Sequence, residues 1–159
     1  MRLANDILPA DRRLESLIPV VAELCRRHQL ACWVKHNINL LITETYRSQD
    51  RQCLLWAQGR PVADLPAAVR AVVARYAPEW LELEICPGPV VTWTLASKHT
   101  SRRAFDVVPM RDGKCIWSEK DPAWEQIGAE GEALGLEWGG SWPEGQKDRP
   151  HFQLTLKEG

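Results

Sequence analysis

The sequence predicts an α+β fold, with helices packed on a small antiparallel sheet, in a single domain over residues 1–159. Three observations predict it. Apolar residues recur at helical spacing in two early stretches, other short runs alternate apolar with polar, and Asp112-Gly113 lies between apolar-rich flanks as a hairpin turn. A chain of 159 residues is long enough to bury its own core without staples.

The first helix is expected from Asp11, because Leu14, Leu17, Ile18, Val21, Leu24 and Cys25 share a face while Arg12, Arg13, Glu15, Arg26 and Arg27 fall elsewhere. Residues 38 to 45 alternate as a strand and deliver Tyr46-Arg47 at its end. Ser48 then caps a second helix that Gly59 and Pro61 stop. A third helix is expected over 64 to 76, with Asp64 as cap, Pro66 in the first turn and Val69, Val72, Val73 and Tyr76 as its apolar stripe. Pro78, Pro87, Gly88 and Pro89 mark a loop, and Val90 to Leu95 reads as a strand. Ala104 to Pro109 alternates, and the hairpin at Asp112-Gly113 returns through Cys115-Ile116-Trp117. Asp121-Pro122 opens a helix bearing Trp124, Ile127 and Leu134, which Gly135 ends. Leu136 to Trp138, a Gly139-Gly140 turn and a strand from His151 close the chain.

Composition narrows the function classes. With 45% hydrophobic and 26% charged residues and a formal net charge of −1, there is no electrostatic case for nucleic acid or an anionic membrane as partner. No stretch approaches a membrane span, and the N-terminus lacks the apolar region of a secretory signal, so synthesis in the cytoplasm without stable membrane association is expected. The five cysteines are widely spaced with no C-x-x-C pair, which suits reduced, buried small residues. Eight tryptophans are many for this length and point mildly to a sugar-rich or peptide substrate.

The chemistry concentrates in Ser97-Lys98-His99-Thr100-Ser101-Arg102-Arg103-Ala104-Phe105-Asp106 and in Asp148-Arg149-Pro150-His151-Phe152. Catalytic zinc needs three nitrogen or oxygen ligands, an open position for water and a carboxylate to take a proton from that water. His99, Asp106 and His151 are the expected ligands, and Asp148 the base. Strand alternation aims Ala104, Asp106 and Val108 at one face, and His99 lies on the loop leading in. Pro150 favours extended backbone, so that His151 and Gln153 point one way and Phe152 and Leu154 the other.

At these residues the sequence resembles the VanY-type zinc peptidases, which comprise D,D-carboxypeptidases and L-alanyl-D-glutamate endopeptidases of peptidoglycan, many phage endolysins among them. Ser97, His99, Ala104, Asp106, Asp148 and His151 match the family pattern. Tyr46-Arg47-Ser48 with Gln52, the stretch Leu55 to Arg60, and Gly135 to Gly140 with Trp142 match further, so the resemblance runs over about 38 to 156 and weakens at 61 to 89. It implies the fold shared with hedgehog domains and D,D-peptidases, zinc as cofactor, and a peptidoglycan stem peptide as substrate of a monomer. Arg47 would bind the scissile carbonyl oxygen or a substrate carboxylate, supported by Gln52, and Ser97, Gln52 and Trp138 would help hold the substrate; apart from the resemblance, Arg102 and Arg103 either reach toward the carboxylates of an acidic peptide or are solvated on their loop. One departure stands out: Arg102 occupies the position of a family glycine, where a residue with a Cβ adopts positive φ at a cost of about 1–2 kcal/mol.

The stretch Trp56 to Arg60 and the segment Trp138-Gly139-Gly140 look most like the endolysin-type L-alanyl-D-glutamate endopeptidases, with the D-alanyl-D-alanine carboxypeptidases as runner-up. A compact catalytic domain without wall-binding module or signal fits a phage or prophage lysis enzyme released to the wall through a separate membrane pore. The competing class is a zinc-stabilised, non-catalytic peptidoglycan-binding module, which Arg102 favours and Asp148 opposes.

Overall fold

The computed structural model describes residues 1–155; Leu156, where the family resemblance ends, and the remaining residues of the expected domain lie outside them. Five helices, α1 (Ala4–Ile7), α2 (Pro19–His36), α3 (Gln49–Ala57), α4 (Ala67–Tyr76) and α5 (Ala123–Ala133), occur among the described residues. Five strands accompany them: β1 (Asn39–Glu44), β2 (Ala104–Arg111), β3 (Lys114–Cys115), β4 (Glu137–Trp138) and β5 (His151–Gln153). The chain divides into two compact units, a helical one of residues 1–10 with 47–100, and a sheet-bearing one of residues 11–46 with 101 onward. The α+β class with a small antiparallel sheet is the one expected.

In the sheet-bearing unit the strands run β1-β2-β5-β4, with β3 on β2, and every pair is antiparallel. Phe105 stands opposite Phe152, and Phe152 opposite Trp138, so three aromatics form one row across β2, β5 and β4. The Phe105 and Phe152 rings stack at 5.8 Å, and Trp138 stacks on Phe152 at 6.3 Å. This row faces the helices. His28 of α2 lies 4.4 Å from the Phe152 ring, and α5 approaches through Gly128 and Gly131, where a Cβ would collide with Trp138 and Phe152 respectively. Alternation therefore leaves the opposite face to Ala104, Asp106, His151 and Gln153.

The helical unit packs α3 against α4 around Leu54, Val69, Val73, Trp80 and Cys86, all buried. The Ser48 side chain accepts from the Arg51 N–H and caps α3 as expected. From α3 outward, side chains fasten the following loop: Gln58 bonds the Pro89 carbonyl, Arg60 that of Thr92, Gln52 that of Thr94 and Gln49 that of Leu95.

Several boundaries differ from expectation. The helix expected from Asp11 is α2 and starts at Pro19, because the Asp11 carboxylate accepts from the Arg13 N–H and the Ser16 hydroxyl and holds a turn, followed by a 3-10 stretch at Leu14–Ser16. Asp64 is not the cap of α4; it lies in a 3-10 turn, and Leu65 is extended before Pro66, as a residue preceding proline prefers. Val90 to Leu95 forms no strand. The Thr94 hydroxyl accepts from the Ala96 N–H and the Thr92 hydroxyl from the Thr94 N–H, local bonds that compete with a ladder. The hairpin turn forms, with Asp112 at φ 53° and Gly113 at φ 75°, yet β3 ends at Cys115, since Pro109 opposite has no N–H to extend the pairing.

Candidate metal centre

Asp106 stands directly opposite His151 in the β2–β5 ladder, so the two side chains leave the sheet on the same face. His151 Nδ1 is 3.2 Å from an Asp106 carboxylate oxygen, and its Nε2 is 2.8 Å from the Gln153 side-chain oxygen. Gln153 in turn donates to Glu137. Burial pushes the His151 pKa down, but the hydrogen bond and charge of Asp106, together with the charge of Asp148, outweigh it and leave the imidazole raised above its ordinary value. The same two carboxylates would favour a metal cation in place of that proton.

Asp148 is exposed, and its backbone is fixed on both sides: its N–H donates to the Gly139 carbonyl at 2.9 Å and its carbonyl accepts from the His151 N–H at 3.2 Å. Gly139 touches this backbone so closely that a Cβ would run into the Asp148 carbonyl. The Trp138 indole N–H donates to the Arg149 carbonyl at 2.7 Å, which seats the same loop from below. The Trp142 ring lies 5.3 Å from that of His151.

His99 is buried, 1% exposed, and the turn that carries it is held by two bonds. The Ser97 hydroxyl accepts from the His99 N–H at 3.2 Å, and the His99 carbonyl accepts from the Arg47 N–H, also at 3.2 Å. Arg47 follows β1 and precedes α3, as expected from the strand-to-helix junction, and its guanidinium donates to the Gln52 side-chain oxygen at 2.8 Å. Gln52 is fully buried and passes its amide on to the Thr94 carbonyl at 2.6 Å, so it supports Arg47 rather than facing solvent.

His99, Asp106 and His151 each offer one ligand atom, and these atoms all lie within 4.8 Å of one another. Tetrahedral zinc sets its nitrogen and oxygen ligands roughly 3.3–3.5 Å apart, a slightly tighter triangle, and two imidazoles with a carboxylate form a donor set suited to that ion. The residues present therefore fit a zinc ion.

Two expected substrate contacts are placed otherwise. Trp138 is 4% exposed and belongs to the aromatic core, which corrects its expected contact with substrate. Arg102 keeps the left-handed backbone of the glycine it replaces, at φ 63°, and its guanidinium donates to the Ser16 carbonyl at 2.9 Å while lying 4.0 Å from the centre of the Tyr46 ring. Glu44 was missed by sequence reasoning. It is buried at the end of β1 and pairs in register with Asp106, past a register shift that follows Ile42. A carboxylate at an inward position of an apolar alternating strand was the available signal.

Two strand residues, Asp106 and His151, and the turn residue His99 thus form a candidate metal centre, with the exposed Asp148 three residues before His151. Residues 91–154, which contain all three ligand candidates and Asp148, match a family model described as D-alanyl-D-alanine carboxypeptidase. The crystal structure of the Serratia marcescens L-Ala D-Glu endopeptidase ChiX is similar in fold, with a TM-score of 0.56 and 24% identity over 94% of this chain and 88% of that one. Over residues 91–154 the chain is similar to that carboxypeptidase family, in line with the resemblance to the VanY-type peptidases.

Proposed function

We propose that this chain is a zinc-dependent endopeptidase that hydrolyses the L-Ala-D-Glu bond of the peptidoglycan stem peptide, as a single catalytic domain. The His99–Asp106–His151 cluster, lying within the family-matched segment, carries the proposal. The choice of bond draws on the likeness in fold to an L-Ala D-Glu endopeptidase. The family description favours a second reading, removal of terminal D-alanine by a D-alanyl-D-alanine carboxypeptidase.

His99, Asp106 and His151 would hold zinc, which when bound supplies a positive charge that polarises a carbonyl and acidifies water. Asp148, exposed and fixed at the backbone beside His151, takes the proton as a water attacks the peptide carbon and returns it to the departing amine. Arg47, oriented by Gln52, donates to the carbonyl oxygen as negative charge develops there. Ser97 acts through the turn that carries His99. Among the described residues no helix is long and apolar enough to cross a membrane. The proposal extends to a monomeric phage or prophage lysis enzyme, made in the cytoplasm and released to the wall.

Incubation of zinc-loaded protein with peptidoglycan, followed by mass spectrometry of the fragments, tests the proposal. Peptides newly beginning with D-glutamate are expected. Loss of only a terminal D-alanine would replace the endopeptidase by the carboxypeptidase, and intact wall material from folded, metallated protein would overturn both.

A further inference from the structure

Trp93 is 72% exposed, yet the backbone on either side of it is fastened to the helical unit. The carbonyls on either side of it are both held, Thr92 by the Arg60 guanidinium at 2.8 Å and Thr94 by Gln52 at 2.6 Å. Gly59 lets this loop approach α3: at φ 73° it sits where a Cβ would come within 2.7 Å of the Val90 nitrogen. Arg60 also donates to the Trp56 carbonyl, and its guanidinium lies 4.0 Å from the Trp56 ring centre and 5.6 Å from that of Trp93. The Trp93 indole thus has a pinned cation on one side and is otherwise open to solvent. Val91 stands beside it, 51% exposed.

We propose that Trp93, backed by Arg60 and Trp56, is a sugar-stacking subsite for the glycan strand of peptidoglycan. The inference rests on the endopeptidase reading above. A flat indole face on a fastened backbone matches the apolar C–H face of a pyranose ring, and its N–H edge can bond a hydroxyl or acetamido oxygen. The chain carries a net charge of −1 and no basic run here, which argues against a polyanion as the occupant. Chain length permits the assignment. Trp93 precedes His99 by six positions, so their Cα atoms are at most about 20–22 Å apart. In the stem peptide the L-alanine is the residue joined to the sugar, so the L-Ala-D-Glu bond lies only about two residues of backbone, roughly 7 Å, from the glycan.

Two measurements test the subsite, on zinc-loaded wild type and Trp93→Ala, with Trp93→Phe as the conservative control. The first is calorimetric titration with peptide-free glycan strands. Wild type and Trp93→Phe are expected to bind, and Trp93→Ala to bind about tenfold more weakly. The second is the ratio of KM for a sugar-free tetrapeptide to KM for the disaccharide-linked tetrapeptide. It is expected near ten for wild type and near one for Trp93→Ala, with equal melting temperatures. No glycan binding by wild type, or an unchanged KM ratio in Trp93→Ala, overturns the subsite. Glycan binding that depends on Trp93, with neither peptide cleaved by wild type, upholds the subsite and removes the endopeptidase reading instead.

Discussion

Asp106 and His151 owe their placement to backbone register, whereas His99 and Arg47 owe theirs to side chains that fasten loops. In the first pair, ladder bonds between β2 and β5 set the two residues opposite each other, and alternation sends both to the polar face. A one-residue slip would send them into the aromatic row of Phe105, Phe152 and Trp138. In the second pair no ladder acts. Ser97 holds the turn of His99, the His99 carbonyl receives the Arg47 N–H, and Gln52 joins Arg47 to Thr94. The ladder fixes ligand direction strongly, and the fastened loops fix it through a few separable bonds.

The largest effect should come from breaking the register-set pair. His151→Ala is expected to abolish stoichiometric zinc binding and activity together, a loss beyond the roughly 10–100-fold that changes around a metal's ligands cause. Metal analysis after dialysis, with the rate on peptidoglycan, checks it. Gly139→Ala should come next, because the added methyl meets the Asp148 carbonyl. Overpacking of that kind costs about 1–3 kcal/mol, so a lowered melting temperature, retained zinc and reduced turnover are expected.

A smaller, pH-gated effect is expected at Asp11. Burial raises its pKa, but hydrogen bonds from Arg13 and Ser16 prevail and lower it from 3.8 to about 2. The ionised form therefore stabilises the fold above the unfolded value, and this contribution is lost as pH falls from near 4 through about 2. Asp11→Asn should melt below wild type at neutral pH, with the gap closing across that acid window. The smallest effect is predicted for Arg102→Gly. Relief of the left-handed backbone, worth about 1–2 kcal/mol, offsets loss of the Tyr46 contact and the Ser16 bond, so melting temperature and KM should stay nearly unchanged. A severalfold rise in KM for acidic peptides would instead give Arg102 the substrate contact first expected of it.

The same contrast explains what the sequence made legible. Period-two alternation in Ala104 to Pro109 and from His151 is a direct record of backbone geometry, so the face shared by Asp106 and His151 could be read from it. The Ser48 cap and the Asp112-Gly113 turn were legible for the same reason, since each residue type answers a local backbone demand. Fastening bonds span tens of residues and leave no periodic trace. Val90 to Leu95 alternates like a strand, yet Thr92 and Thr94 bond locally and Arg60 and Gln52 take the carbonyls. Trp138 carried a motif whose part in the core depends on Gly128 and Gly140, glycines that admit its ring at close approach. Alternation does place Glu44 inward on β1, but its pairing opposite Asp106, past the register shift after Ile42, leaves no trace in it.

The most direct test of the catalytic account is Asp148→Asn, which keeps the loop's backbone bonds to Gly139 and His151 while removing the proposed base. Zinc content and peptidoglycan hydrolysis would be measured on the same preparation. Zinc at the wild-type stoichiometry with turnover lowered by about 10²–10⁴-fold is predicted. Wild-type rates in the zinc-loaded variant would contradict it and take the proton-transfer role away from Asp148.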